Sequence, residues 1–397
     1  MASGPKSISI GERMYLNMNA PAWFEVSDAA SIPSPALLLY RSRIEENLRQ
    51  MIAIAGSPAR LRPHIKTHKI SEMLQLQLAL GITKFKCATL AEAEMAARAG
   101  VPDLLLAYQP VGPTVEGIAG LARAFPLTRF SVLCDDAGVL QHLSKTLCAL
   151  RATDEKKTQP QPDLEVLLDL DVGQHRTGVP PGDKAVELYR LLASLPALRP
   201  GGLHAYDGHI SNPDLAQRAA ACAAAFAPVE ALRRQLSAAG LPVPRVVAGG
   251  TPTFPFHARR ARVECSPGTC VFWDGSCASN VPELPFLPAA LVLTRVISKP
   301  GPNRICLDLG HKAVAAEMPQ PRVRFLNLED ATPAAHSEEH LVVETPRSGE
   351  FNLGDCLYGL PRHICPTVAL HAEAVVIDHG KSAARWRVIA RDRQLSI

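Results

Sequence analysis

Two histidines and two lysines crowd into six residues of the run RPHIKTHK (62–69): His64, Lys66, His68 and Lys69. Crowded cations repel, and each lowers the pKa of its neighbours. A lysine with a lowered pKa is a nucleophilic amine that can condense with a carbonyl. A basic surface loop would carry the same letters, and His64, His68 and Lys69 read equally well as tuning groups or as structural ones. A second run, VVAGGT (246–251), ends an apolar strand on Gly249, Gly250 and Thr251. Glycines let backbone N–H groups close around a phosphate, and a threonine adds a hydroxyl. An ordinary glycine turn is the plainer alternative. The third group is His363-Ile364-Cys365. On a strand, residues two apart point the same way, and an imidazole and a thiolate on one face suit zinc. Two protein ligands would leave positions for water and substrate, as in a catalytic metal site. By itself, such a pair is more often coincidence than a site.

These groups need a scaffold that gathers them. From residue 59 onward, short β-rich runs alternate with helical ones: LRPHIKTH, TKFKCAT, PDLLLAYQP, RFSVLCD, DLEVLLDLDV, GGLHAYDGH, PRVVAGGT and RVECSPGTCVF are eight candidate strands. The helical runs SEMLQLQLALG and LAEAEMAARAG end on Gly81 and Gly100, the expected C-cap residue. Alternation of this kind implies parallel strands with helical crossovers, and the fold class expected is α/β: a (β/α)₈ TIM barrel over residues 36–284. An open doubly wound sheet is the competing arrangement, and the absence of GxGxxG after the first strand argues against its dinucleotide-binding form. RATDEKKTQPQP (151–162) reads as a solvated loop. After residue 285 the helical pattern stops. Strand-like runs with turn residues between them imply an all-β domain over 285–397, with residues 1–35 packed on it.

Barrel active sites lie at the C-terminal ends of the strands. There the first strand ends on Lys66, the fifth runs into Arg176, the sixth ends on Tyr206 and His209, and the seventh ends on Gly249, Gly250 and Thr251. A phosphate site near strands seven and eight recurs in this fold.

Lys plus Arg total 42 against 38 Asp plus Glu, a net charge of only +4, with aromatic residues at 5%. That balance argues against a nucleic-acid partner. No run approaches the roughly 18 apolar residues of a membrane span, and the N-terminal segment lacks the apolar core of a signal peptide. Ten cysteines without paired spacing then read as free thiols in a reducing cytoplasm.

The run RPHIKTHK resembles the lysine-bearing motif of the D-threonine aldolase and D-serine dehydratase family, which are fold-type III pyridoxal phosphate (PLP) enzymes distantly related to alanine racemase. The resemblance continues through KCATLAEAEMAARAG (86–100), DVGQHRTGV (171–179), AYDGH (205–209), AGGTPT (248–253) and PRHICPT (361–367). It implies that Lys66 carries PLP, that Gly249, Gly250 and Thr251 bind its phosphate, and that Arg176 lies beside it. It also implies that His363 and Cys365 hold a divalent metal, zinc or manganese, near the cofactor. Tyr206 (cofactor side) and His209 (catalytic side) are placed at the site by their position at the sixth strand end. A homodimer acting on a small amino acid is the family expectation. The reaction implied is a lyase reaction on a β-hydroxy D-amino acid, either retro-aldol cleavage to glycine and an aldehyde or dehydration to a 2-oxo acid and ammonia. In the aldolase branch an Asp usually stands where this chain has Cys365, whereas the dehydratase branch uses a His and Cys pair. Racemisation would need a second base opposite Lys66. A non-catalytic PLP carrier would resemble the barrel alone.

Overall fold

The computed structural model describes residues 22–153 and 163–397. Residues 151–153 of the expected loop close a helix, and the rest of that loop lies outside the described residues, as do residues 1–21.

The chain begins with β1 (Ala36–Tyr40) and α1 (Arg41–Ala55). Strands and helices then alternate: α2 (Ser71–Ala79), β2 (Lys84–Cys87), α3 (Leu90–Arg98), β3 (Asp103–Leu106), α4 (Thr114–Ala124), β4 (Arg129–Cys134) and α5 (Ala137–Thr153). The alternation continues with β5 (Leu164–Leu170), α6 (Asp183–Ser194), β6 (Leu198–Ala205), α7 (Leu215–Ala238), β7 (Val246–Ala248), α8 (Phe254–Ala258), β8 (Val263–Cys265) and α9 (Gly275–Asn280). The remainder is mostly strand: β9 (Ala290–Gly301), β10 (Arg304–Leu307), β11 (Val323–Phe325), β12 (Thr332–His336), β13 (Leu341–Glu344) and β14 (Cys356–Pro361), then the short helix α10 (Ile364–Leu370), β15 (Glu373–Asp378) and β16 (Lys381–Arg387).

Strands β2 to β8 form one parallel sheet in sequence order, as βα alternation requires. The first expected barrel strand, LRPHIKTH, is not a regular strand. Leu61 bridges to Cys265 and His64 bridges to Lys86, both in parallel, so residues 61–64 close the sheet between β8 and β2. Pro63 has no N–H to give a ladder. The seam is held instead by Arg62 N–H to Cys265 O (2.8 Å), His64 N–H to Pro267 O (2.8 Å) and Lys86 N–H to Pro63 O (2.9 Å). Arg62 is fully buried at this seam and bonds Asp103 Oδ1 and Glu264 Oε2, each at 2.7 Å. It thereby ties β3 and β8 to the closing segment.

The second sheet runs in the order β12-β13-β10-β9-β1-β15-β16, with β14 on β9 and β11 on β14. Strand β1 pairs antiparallel with β9 and parallel with β15. Residues 36–40, grouped with the barrel by sequence pattern, therefore sit in the β-rich sheet, and α1 carries the chain across to the barrel. The apolar run ALLLY has no periodicity that could have distinguished the two sheets. Val26, Ala29 and Ile32 pack on β1, β9, β14 and β15, so the described part of the N-terminal segment covers this sheet.

His363-Ile364-Cys365 departs from the strand geometry expected of it. Residue 363 is the N-cap of α10, and Cys365 lies in that helix's first turn. Asp274 accepts the N–H of Ile364 (3.0 Å) and that of Cys277 (2.8 Å), so one buried carboxylate caps α9 and α10 together.

Candidate active site

A cavity of about 470 Å³ opens at the C-terminal ends of the barrel strands. Lys66, Arg176 and Tyr206 line it, together with His64, Lys86, Asp169 and His204. Lys66 stands in a single 3₁₀ turn, Ile65–Thr67, whose entry is fixed by the Lys66 N–H donating to His64 Nδ1 at 3.3 Å. Burial, and then the charge of Lys66, push His64 well below its ordinary range, so it is neutral and able to accept that bond.

The other two members of the motif face elsewhere. His68 is buried, accepts the Ile70 N–H (3.1 Å) and lies 3.4 Å from Gln77 Nε2 of α2. Burial lowers it to about 3. Lys69 adopts φ 55° and pairs with the buried Glu92. Glu92 in turn accepts the Ala88 N–H at 2.7 Å. These two residues anchor the lysine-bearing turn to α2 and α3, while Lys66 and His64 enter the cavity.

Three cavity residues escaped the sequence reading. Lys86 Nζ lies 3.4 Å from His204 Nε2, and His204 Nδ1 lies 2.6 Å from Asp169 Oδ1. Thr177 donates to the other Asp169 oxygen at 2.8 Å. All three members of this chain are buried. Burial, reinforced by the charge of Lys66, lowers Lys86 to about 7. Burial disfavours the Asp169 carboxylate, yet His204, Thr177 and the charge of Lys86 together outweigh it and hold that carboxyl below its ordinary value. The signal was available in the sequence: Lys86, Asp169 and His204 are each the last-but-one residue of a barrel strand, at the end where barrel sites lie.

Tyr206 links this floor to the glycine loop. The Arg176 guanidinium lies 4.8 Å from its ring centroid and Lys86 Nζ 5.5 Å from it. A Cβ on Gly250 would fall 3.1 Å from Tyr206 Cε2, and one on Gly249, which adopts φ 86°, would fall 2.7 Å from His257 Cδ2. Gly249 excludes a side chain, and a side chain at Gly250 would have to displace the Tyr206 ring. Thr251 Oγ1 accepts the N–H groups of Gly268 (3.3 Å) and Thr269 (3.2 Å), joining the loops after β7 and β8. His209 is exposed at the end of the sixth strand and stands against Gly173, outside the cavity lining.

Behind the glycine loop, Asp207 Oδ1 accepts the Gly250 N–H (3.1 Å) and the Thr253 hydroxyl (2.7 Å), while Oδ2 takes His257 Nε2 (2.7 Å). Cys222 Sγ is 3.5 Å from the same His257 nitrogen. The ligand atoms of Asp207, Cys222 and His257 lie within 4.8 Å of one another, which is the spacing of a candidate metal group. However, Arg260 donates to His257 Nδ1 at 3.1 Å, so Nε2 carries the proton that Asp207 accepts. With both ring nitrogens engaged, the cluster braces the loop through hydrogen bonds.

His363 and Cys365, at the start of α10, do not line the cavity, but Cys365 meets the turn that bears Lys66. Cys365 Sγ is 3.3 Å from Thr67 Oγ1 and 3.8 Å from Thr269 Oγ1. A bond to Cys365 raises His363 to about 9 against the effect of burial, with help from Glu317. His363 Nδ1 lies 2.5 Å from Glu317 Oε1.

With this geometry in hand, comparison with known proteins places the chain. Residues 40–274 match the alanine racemase N-terminal domain, and residues 289–377 match the putative serine dehydratase domain. The chain belongs to the fold-type III PLP-dependent enzymes, in the group that holds D-threonine aldolase and the D-hydroxyaspartate dehydratases. It is 32% identical to a D-threonine aldolase of Arthrobacter sp. over 369 residues, covering 91% of this chain and 93% of that one. It is 31% identical to a D-threo-3-hydroxyaspartate dehydratase of Delftia sp. over 271 residues, covering 63% and 65%. The crystal structure of a D-threonine aldolase from Filomicrobium marinum superposes with a TM-score of 0.83 at 29% identity, covering 92% of this chain and 97% of that one. Among the described residues no helix is long and apolar enough to cross a membrane.

Proposed function

We propose that the protein cleaves β-hydroxy D-amino acids of the D-threonine type to glycine and an aldehyde, using PLP on Lys66 and a divalent metal, zinc or manganese, on His363 and Cys365. The observation that carries this reading is the contact between Thr67 and Cys365, which sets an N/S donor pair beside the residue that follows Lys66.

The residues present fit both groups. Side-chain-free Gly249 and Gly250 leave the close approach that a phosphate needs, and Thr251 holds the neighbouring loop beside them. Imidazole and thiol are donors suited to zinc. His363 and Cys365 fit a metal better than the Asp207 cluster, whose imidazole has no nitrogen to spare. When bound, PLP supplies an electron sink for the bonds at the substrate's Cα, and the metal supplies a Lewis acid for its β-hydroxyl.

The chain's own groups do the rest. Lys66 offers the amine. Neutral His64 holds its turn. Tyr206 and Arg176 wall the cavity on the side of the glycine loop, and Arg176 offers a positive charge to an anionic group. His209, on the rim, is assigned to the substrate side by its place at the sixth strand end. Ten free cysteines among the described residues support a reducing compartment such as the cytoplasm. A homodimer is the assembly proposed, and sedimentation of the purified protein tests it.

Dehydration to a 2-oxo acid and ammonia is the second reading. It is favoured by Cys365 itself, since a thiol ligand is the dehydratase pattern. The longer match to an aldolase supports the aldolase reading ahead of it.

Purified protein incubated with PLP and D-threonine, with metal or with a chelator, tests the assignment. Glycine and acetaldehyde that disappear with the chelator are the expected products. A 2-oxo acid with ammonia would move the protein to the dehydratase reading. Neither product, with cofactor absorbance unchanged in Lys66→Ala, would sink both.

A further inference from the structure

Glu317 lies in the connection between β10 and β11, outside every motif of the sequence, yet it is held against His363 by a built framework. Thr367 accepts the Ala315 N–H at 3.1 Å and donates to the His363 carbonyl at 2.8 Å. His371 Nε2 bonds the Ala313 carbonyl at 2.8 Å. On the far side, Arg362 donates to the Pro319 carbonyl at 3.0 Å. The 313–319 segment is thus pinned to α10 on both sides of Glu317, and this arrangement differs from a chance surface ion pair. Glu317 Oε1 then meets His363 Nδ1 at 2.5 Å.

An imidazole whose Nδ1–H donates to a carboxylate has its lone pair on Nε2 and its ring locked in one orientation. Cys365 stands two residues further on, in the first turn of the helix that His363 caps. With Nδ1 taken by Glu317, Nε2 is the ring nitrogen left to bind a metal. Glu317 thus decides which nitrogen of His363 can act beside Cys365 Sγ.

We propose that Glu317 is a positioning residue for the metal site: it fixes the tautomer and orientation of His363 so that Nε2 joins Cys365 Sγ as ligand. This inference rests on the proposed reading of His363 and Cys365 as the metal pair. Carboxylates in this role raise ligand basicity, and their removal typically weakens metal binding by about 10- to 100-fold. Glutamine keeps an acceptor oxygen for the Nδ1–H, though an uncharged and weaker one.

The test is a titration of the full-length protein with Co(II), in competition with a chromophoric chelator, read by affinity and by the ligand-field and thiolate charge-transfer spectrum. Glu317→Ala should weaken Co(II) by about 10- to 100-fold with the spectrum unchanged, because the ligands themselves remain. Glu317→Gln should fall between the variant and the wild type. The Glu317 side chain is 47% exposed, so both variants are expected to fold, and a melting curve checks this. Unchanged affinity in Glu317→Ala overturns the proposal. So does an altered ligand-field spectrum, which would make Glu317 a direct ligand. His363→Ala and Cys365→Ala run in parallel: if they too leave affinity unchanged, the underlying metal-pair reading fails, and it fails separately from the role of Glu317.

Discussion

The Thr67 hydroxyl lies 3.3 Å from the Cys365 sulfur, joining the turn that bears Lys66 to the first turn of α10. It is a contact between residues almost three hundred positions apart, and it couples the amine site to the proposed metal site. If the sulfur is a thiolate ligand, the Thr67 hydroxyl donates to it. Hydrogen bonds to charged groups contribute about 1.5–3 kcal/mol. Thr67→Val should therefore lower kcat/KM for D-threonine by roughly tenfold or more. Steady-state assays at saturating PLP and metal measure this, with Thr67→Ser retaining most of the activity.

The Asp207 network makes a different prediction. This buried carboxylate holds the Gly250 N–H, the Thr253 hydroxyl and His257 at once. Asp207→Ala leaves the Gly250 N–H and the Thr253 hydroxyl only their longer bonds to each other (3.2 and 3.4 Å) and takes the carboxylate from His257 Nε2, at a cost of about 1–3 kcal/mol for a buried donor left poorly paired. The glycine loop should loosen, raising the Kd for PLP by about tenfold or more while metal content stays at the wild-type level. Equilibrium dialysis against PLP and metal analysis of the dialysed protein check both halves. Loss of metal with retention of PLP would instead make Asp207, Cys222 and His257 the metal group.

Arg62 tests the barrel seam. Its guanidinium is fully buried between Asp103 and Glu264. Burial opposes the Asp103 charge, yet Arg62 and Arg129 hold its carboxyl down to about 2. Removing one member of such a set leaves a buried charge uncompensated, at a cost of about 3–5 kcal/mol. Arg62→Ala should lower stability by that order, measured by urea denaturation of the PLP-free protein. It should also reduce PLP binding, because Lys66 follows the seam directly.

Lys86 predicts a pH dependence with a definite sign. In the folded protein burial brings it to about 7, against 10.5 when exposed. Between those values the unfolded chain binds a proton that the folded chain does not, so this group makes stability rise with pH. Below pH 7 both states are protonated and the dependence vanishes. The stability difference between the wild type and Lys86→Met, from denaturation of the PLP-free protein, should shift in favour of the wild type from about pH 7 to pH 10 and stay level below it. A difference independent of pH across that range would show that Lys86 keeps its charge in the cavity.

Much of this protein could be read along the chain. The βα alternation set out seven of the parallel strands, because helix and strand periods are local properties of side-chain spacing. The motif run RPHIKTHK marked the lysine, and VVAGGT marked a loop where Gly249 tolerates no Cβ. Other features were fixed only by closing the barrel and docking the second sheet. Ring closure turned Lys66 and His64 inward and sent His68 and Lys69 to α2 and α3, a choice that the letters of 64–69 do not encode. It also stacked Lys86, His204 and Asp169 from three strands into one buried chain. Docking put β1 in the β-rich sheet, wound Ile364-Cys365 into a helix capped by Asp274, and brought Glu317 onto His363. Local pattern determines which elements form. Which atoms meet is decided by long-range packing, where direction and distance depend on partners far away in the chain.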